Sequence, residues 1–297
     1  MLAGLDFFKK LMQYEKTYNS RGVQITNSLQ TNGTLMDKEW ADFFAENHFL
    51  VGVSIDGSKD LHSKNRIFAD GSGSYDKAMT GIRHLCSSGV EYNILCVITA
   101  EAAQHGEEIY NALKEHQYLQ FIPCIEGFHG EGSEFCPNGK ALGQFLIDVF
   151  DCYERSWRQG KYVSVRNFDN YIGMLRGQRP EHCGMSGQCG IYYLAEANGD
   201  MYPCDFYVLD PWKLGNIATD PFVRLAKVQE QLGFVATSKH TAAKCTGCKW
   251  YPICRGGCRR DREPFENGMP GLNRYCEGYE VFFNYAFERL ERLAKLG

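Results

Sequence analysis

The chain has 297 residues and a mass of 33.8 kDa, more than one small module needs and enough for two domains. Hydrophobic residues make up 44% of it and charged residues 23%, which excludes a largely disordered protein. Lys and Arg number 32 against 36 Asp and Glu, a net charge of −4 that argues against nucleic acid as the main ligand. No run of about 18 apolar residues offers a membrane span, and MLAGLDFFKKLMQYEK lacks the segments of a signal peptide. These features predict a cytoplasmic protein with neither membrane nor nucleic acid as partner.

Residues 1–126 alternate helix-like and strand-like segments. LDFFKKLMQYEKTYN spaces Leu5, Phe8, Leu11 and Met12 as one apolar helical face. GVQITNSLQTNG reads as a strand ending in a turn at Asn32-Gly33, and MDKEWADFFAENH as a helix capped by Asp37. FLVGVSIDG is an apolar strand; YDKAMTGIRHLCSSG is a helix closed by Gly89. EYNILCVIT, AAQHGEEIYNALKEH and LQFIPCIE then read as strand, helix and strand. The pattern predicts an α/β fold with a parallel sheet, open or closed as a barrel, whose ligands sit at the C-terminal strand ends. Ser28, Ser54, Asp56, Thr99 and Glu126 fall at such ends, where strand capping and turn formation compete with function as explanations. The opening helix has no strand before it, which predicts an unusual topology or missing upstream sequence.

Residues 127–182 form a polar, Gly-rich loop followed by two helices, ALGQFLIDVFDCYERSWRQG and FDNYIGMLRGQ. From 183 to 297 the chain is rich in Gly, Cys and aromatic residues. It carries a hairpin around Asn198-Gly199 and ends in the helix YEVFFNYAFERLERLAKL.

Thirteen cysteines without an export signal point to metal or redox chemistry rather than disulfides. Eight lie in two runs: Cys183, Cys189 and Cys204, then Cys245, Cys248, Cys254 and Cys258, followed by Cys276. Two structural zinc ions fit this count, and so do two 4Fe–4S clusters. The other five, Cys86, Cys96, Cys124, Cys136 and Cys152, lack such spacing and read as core or loop residues. Asp205 follows Cys204 directly, and shielding by Tyr202, Phe206 and Tyr207 would raise its pKa and suit it to a general base. Arg255, Arg259, Arg260 and Arg262 surround Cys258, either offsetting the negative charge of a cluster or forming a solvated patch.

The eight-cysteine pattern, with CTGCKWYPICRGGC at its centre, resembles the SPASM domain of radical S-adenosylmethionine (SAM) enzymes. NSLQTNGTL, FLVGVSIDG, NILCVIT, LQFIPC, CGMSGQC and MYPCDFYVLDPWKLGNI narrow the resemblance to anaerobic sulfatase-maturating enzymes, across essentially the whole chain. The resemblance implies a partial (β/α)6 radical SAM barrel over 1–126, a helical connection over 127–182 and a SPASM domain over 183–297. It implies SAM contacts at Ser54, Arg66 and Ile125, a catalytic base at Asp205 and two auxiliary 4Fe–4S clusters. The first cluster would take Cys183, Cys189, Cys204 and Cys258; the second would take Cys245, Cys248, Cys254 and Cys276. The implied reaction converts a Cys or Ser side chain of an unfolded sulfatase polypeptide to Cα-formylglycine. A 5′-deoxyadenosyl radical would remove a β-hydrogen, and a flavodoxin or ferredoxin would supply electrons. Another SPASM-type peptide-modifying reaction and a non-catalytic metal-binding fragment are the alternatives.

The family's Cys-x3-Cys-x2-Cys motif, which binds the third, SAM-cleaving 4Fe–4S cluster, is absent from this sequence, as is a GGEP-type SAM motif. That departure predicts a barrel lacking its first strands, through a fragment or a misplaced start codon. It also predicts an unpaired sheet edge prone to association and a chain that, as given, does not cleave SAM.

Overall fold

In the computed structural model, which describes residues 1–265 and 267–296, the chain divides into two units. The first comprises Met1–Pro137 and Gln144–Phe168; the second comprises Asn138–Gly143 and Asp169–Gly297.

The first unit is built on five parallel strands in the order β1-β2-β3-β4-β5: Ser28–Thr31, Leu50–Ser54, Tyr92–Ile98, Tyr118–Pro123 and Ser164–Val165. The sheet is parallel as the alternation requires, and among the described residues β1 pairs with β2 alone. Val51, Val53, Ile94, Ile98, Leu119 and Phe121 are buried in its strands. The strands alternate with helices α1 (Leu5–Tyr18), α2 (Lys38–Glu46), α3 (Lys59–Asn65), α4 (Tyr75–Ser87) and α5 (Gly106–Leu113), and α6 (Gly139–Arg158) runs from the second unit into the first. Asp37 caps α2 by accepting the Trp40 N–H at 3.0 Å. Gly89, with φ of 70°, follows the C-cap of α4 in the left-handed conformation expected of a helix-ending glycine.

The opening helix does have a surface to pack on. Phe8 meets Trp40, Phe44 and Phe49 edge-on, with ring centroids 5.3, 6.2 and 6.4 Å away, so α1 lies against α2 and the entry to β2. Four local readings need correction. β1 begins only at Ser28, which puts that residue at the N-terminal rather than the C-terminal strand end. The 102–116 helix is broken at His105 between a 3-10 turn and α5 and ends in a second 3-10 turn. α3 was unforeseen because KDLHSKN is mostly polar. The fifth strand is only two residues long, too short to show a period.

The second unit contains most of α7 (Arg166–Leu175) and a small antiparallel sheet of β6 (Leu194–Ala195), β7 (Asp200–Tyr202) and β8 (Gly215–Asn216). Asn198-Gly199 forms the predicted hairpin turn, Gly199 having a φ of 86°. Helices α8 (Phe222–Gln231), α9 (Phe234–Ser238), α10 (Ala243–Thr246), α11 (Tyr251–Cys254) and α12 (Cys276–Leu296) follow. The first turn of α12 crosses the first turn of α6 at bare backbone. A Cβ on Gly278 would overlap Gly139 O and stand 3.0 Å from the Gly143 nitrogen. This close crossing fixes where Cys276 begins its helix.

Candidate active site

In the first unit, Ser54 ends β2 and Ile125 follows β4 by two residues, so both stand at C-terminal strand ends. Arg66, which reads as a surface residue from sequence, caps α3 and is only 25% exposed. Its Nε donates to Asp56 Oδ2 at 2.6 Å and its Nη2 to Asp56 Oδ1 at 3.3 Å, while the Val97 N–H reaches the same Oδ1 at 2.9 Å. Asp56 is thus a fork that orients Arg66. Thr99 has the bland role: its Oγ1 accepts the Ala102 N–H and caps the following turn.

Sequence reasoning missed His62 and Ser74, which complete this arrangement. His62 is fully buried; its Nδ1 accepts the Asp56 N–H at 3.2 Å, and its Nε2 lies 3.1 Å from Ser74 Oγ, which donates to Arg66 O. An accepting Nδ1 means that Nε2 carries the proton, so the ring is neutral. Burial, and secondarily the Arg66 charge, hold its pKa down to about 4 despite the opposing pull of Asp56. The unfolded chain takes up this proton near pH 6.5 and the native chain only near 4, so stability falls as pH drops through that window. At pH 5 the loss relative to pH 7 is about 2 kcal/mol. Urea midpoints at the two pH values should show it, and His62→Gln should flatten the dependence. An equal pH dependence in the variant would refute the assignment.

In the second unit the eight cysteines sort into two sets that cross the sequence order. No disulfide joins any of the thirteen cysteines of the chain. Burial, followed by the Asp261 charge and the Cys183 and Cys189 thiols, pushes the Cys258 thiol far up. Burial, then contact with Asp205 and the charge of Cys189, pushes Cys204 up to about 12. Cys183, Cys189, Cys204 and Cys258 therefore share one neighbourhood, where a Cβ on Gly184 would touch Cys258 Cβ at 3.3 Å. Cys254 is raised to about 11 by burial and then by Cys276, Cys245 and Cys248. Those four line one largely apolar pocket with Trp250, Tyr251, Tyr279 and Phe283.

No three Cys, His, Asp or Glu side chains among the described residues converge on a single-ion position. Four thiols among aromatic walls are a donor set that would hold an iron–sulfur cube. Trp250 Nε1, buried and without a hydrogen-bond partner, adds an unused donor in the wall of that pocket. Between the two sets, Arg255, Gly256 and Gly257 all have positive φ, 53°, 81° and 76°, which curls the chain from Cys254 to Cys258.

Asp205 opens a short 3-10 turn, and its Oδ1 accepts the Cys204 thiol hydrogen at 3.2 Å. The expected shielding is not seen. Asp205 and Phe206 are exposed, while Tyr207 is buried among Trp212 and Phe234. Cys86 is also exposed rather than core, because it sits in the last turn of α4 and reaches out to Tyr92 OH at 3.5 Å. Arg259, Arg260 and Arg262 do not form a solvated patch; each is at most 3% exposed.

Residues 2–113 match the Radical SAM superfamily. Over 99% of its length the chain is 40% identical to the cysteine-type anaerobic sulfatase-maturating enzyme of Clostridium novyi, 80% of which it covers. The chain belongs to the anaerobic sulfatase-maturating enzymes. The serine-type enzyme of Bacteroides thetaiotaomicron is 34% identical, with 99% of this chain and 75% of that one aligned. The solved structure "Native anSMEcpe with bound AdoMet and Kp18Cys peptide" superposes with a TM-score of 0.95 at 39% identity, covering 100% of this chain and 83% of that one. A related structure, "Native anSMEcpe with bound AdoMet", superposes with a TM-score of 0.94 at 39% identity, with 99% of this chain and 82% of that one covered. Among sulfatase-maturating enzymes, then, this chain is a radical SAM enzyme with an α/β fold. No helix among its described residues is long and apolar enough to cross a membrane.

Proposed function

We propose that the protein oxidises a Cys or Ser side chain of an unfolded sulfatase polypeptide to Cα-formylglycine in the cytoplasm, with a flavodoxin or ferredoxin as electron donor. The observation that carries this reading is the sorting of eight thiols into two sets of four, one of them beside the Asp205 carboxylate. Cys183, Cys189, Cys204 and Cys258 would hold one auxiliary 4Fe–4S cluster, and Cys245, Cys248, Cys254 and Cys276 the other. When bound, SAM with its reducing cluster supplies a hydrogen-abstracting radical, and the auxiliary clusters accept an electron.

The chain's own residues do the rest. Ser54, Arg66 and Ile125 bind and orient SAM at the strand ends, with Asp56 holding the guanidinium in one pose. The oxidation removes one hydrogen atom from the substrate β-carbon, one proton from its sulfur or oxygen, and one electron; from Ser this leaves the aldehyde directly, and from Cys a thioaldehyde that water converts to the aldehyde with release of hydrogen sulfide. Asp205 is the group that takes the proton. Its Oδ1 lies 3.2 Å from the Cys204 sulfur, so the carboxylate would stand directly beside a ligand of the first cluster.

Asp205→Asn, made in the enzyme extended by its family's Cys-x3-Cys-x2-Cys motif, should lower formylglycine yield by about 10²-fold or more. Iron content and SAM cleavage should persist. Mass spectrometry of Cys- and Ser-containing sulfatase peptides reads the outcome, and an unchanged yield with both clusters present would rule out Asp205 as the base.

A further inference from the structure

Arg259 is 2% exposed, and its guanidinium lies among four rings, with Tyr207, Trp212, Phe234 and Phe265 centroids 5.3, 4.8, 4.5 and 4.6 Å away. Its Nη1 donates to Phe234 O and Thr237 Oγ1, both in α9. Arg262, 3% exposed, donates to His240 O at 2.9 Å, Ser238 O at 2.8 Å and Cys258 O at 3.4 Å. Every acceptor is neutral, and neither guanidinium pairs with a carboxylate among the described residues. Two buried cations with no carboxylate in salt-bridge contact are costly, and such groups are kept where a counter-charge arrives. The anion within reach is the first sulfur set. Cys258 precedes Arg259 directly, and the Cys189 N–H donates to Ser238 Oγ at 2.9 Å on the segment both arginines clamp. The nearby Asp261 is faced by Arg260 and Arg274 as well as Arg262. The second set differs: its neighbouring Lys244 is 55% exposed and already meets Glu280 at 3.4 Å.

We infer that Arg259 and Arg262 are the fixed counter-charge of the cluster held by Cys183, Cys189, Cys204 and Cys258, positioning its ligands and raising its reduction potential selectively over that of the second cluster. This rests on the two-cluster reading above. A buried cation favours the more reduced, more negative form of an adjacent cluster, and a low-dielectric aromatic surround leaves that effect unscreened.

The test is a redox titration of the anaerobically purified chain followed by EPR, with Cys183→Ala identifying the signal of the first cluster and Cys276→Ala that of the second. Arg259→Met and Arg262→Gln should shift the first cluster's midpoint to lower potential and leave the second in place. Arg259→Lys, which keeps the charge, should restore most of it. No shift, or an equal shift of both clusters, overturns the inference. If the charge-removing variants lose the first cluster's iron while Arg259→Lys keeps it, the counter-charge role stands. If Arg259→Lys loses it too, the residue is a packing element and the inference falls. Failure of the two-cluster reading looks different, since the unmutated chain would then lack two separable signals.

Discussion

Replacing Cys258 by Ser is expected to remove the first iron–sulfur cluster and leave the second intact. Iron should fall from about eight to about four atoms per chain, since each cube holds four. Sequence order alone suggests the opposite victim, because Cys258 closes the run that begins at Cys245. The fold turns it away. Besides burial and Asp261, its thiol is pushed up by Cys183 and Cys189, while that of Cys254, four positions earlier, is pushed up by Cys276, Cys245 and Cys248. The residual EPR and Mössbauer spectra of Cys258→Ser should therefore match those of Cys183→Ser and differ from those of Cys254→Ser. A Cys258→Ser protein that resembles Cys254→Ser would sink the crossed assignment. Two zinc ions in oxygen-free material would sink both sets.

The second large effect is expected at Gly278. An alanine there drives its methyl group into Gly139 O and to within 3.0 Å of the Gly143 nitrogen, and both obstacles are backbone. Neither can swing aside as a side chain could, so the first turns of α12 and α6 must part. Overpacking of this kind costs about 1–3 kcal/mol. The displaced turn also carries Cys276, so Gly278→Ala should lower the melting temperature and weaken retention of the second cluster. Gly247→Ala is the control, because it lies between two cysteines of the same set and a Cβ there meets nothing within 4 Å. Equal melting temperatures for the two variants would show that the crossing has room to give.

The parallel sheet was legible because FLVGVSIDG, EYNILCVIT and LQFIPCIE are apolar runs set between amphipathic helices, and buried strands write themselves in that way. α3 was not, since only Leu61 and His62 of its seven residues are buried. The buried network at Arg66 was hidden for the same reason. His62 and Ser74 look like ordinary polar residues until the turn after β2 folds back over them. Spacing exposed the eight cysteines but not their partners, because ligand sets depend on how loops cross. Arg259 and Arg262 were misleading in sequence, where a run of charge suggests solvent. The aromatic residues that enclose Arg259 come from four separate stretches, at Tyr207, Trp212, Phe234 and Phe265.

The curled segment Arg255-Gly256-Gly257 also sets a distance. Cys254 and Cys258 cannot stand more than about 14 Å apart at their α-carbons even with the chain drawn straight, and three successive left-handed residues shorten that span. If the proposed assignment puts one of these cysteines on each cube, the gap an electron must tunnel across is bounded by covalent length. Breathing of the surrounding loops cannot carry it past that bound.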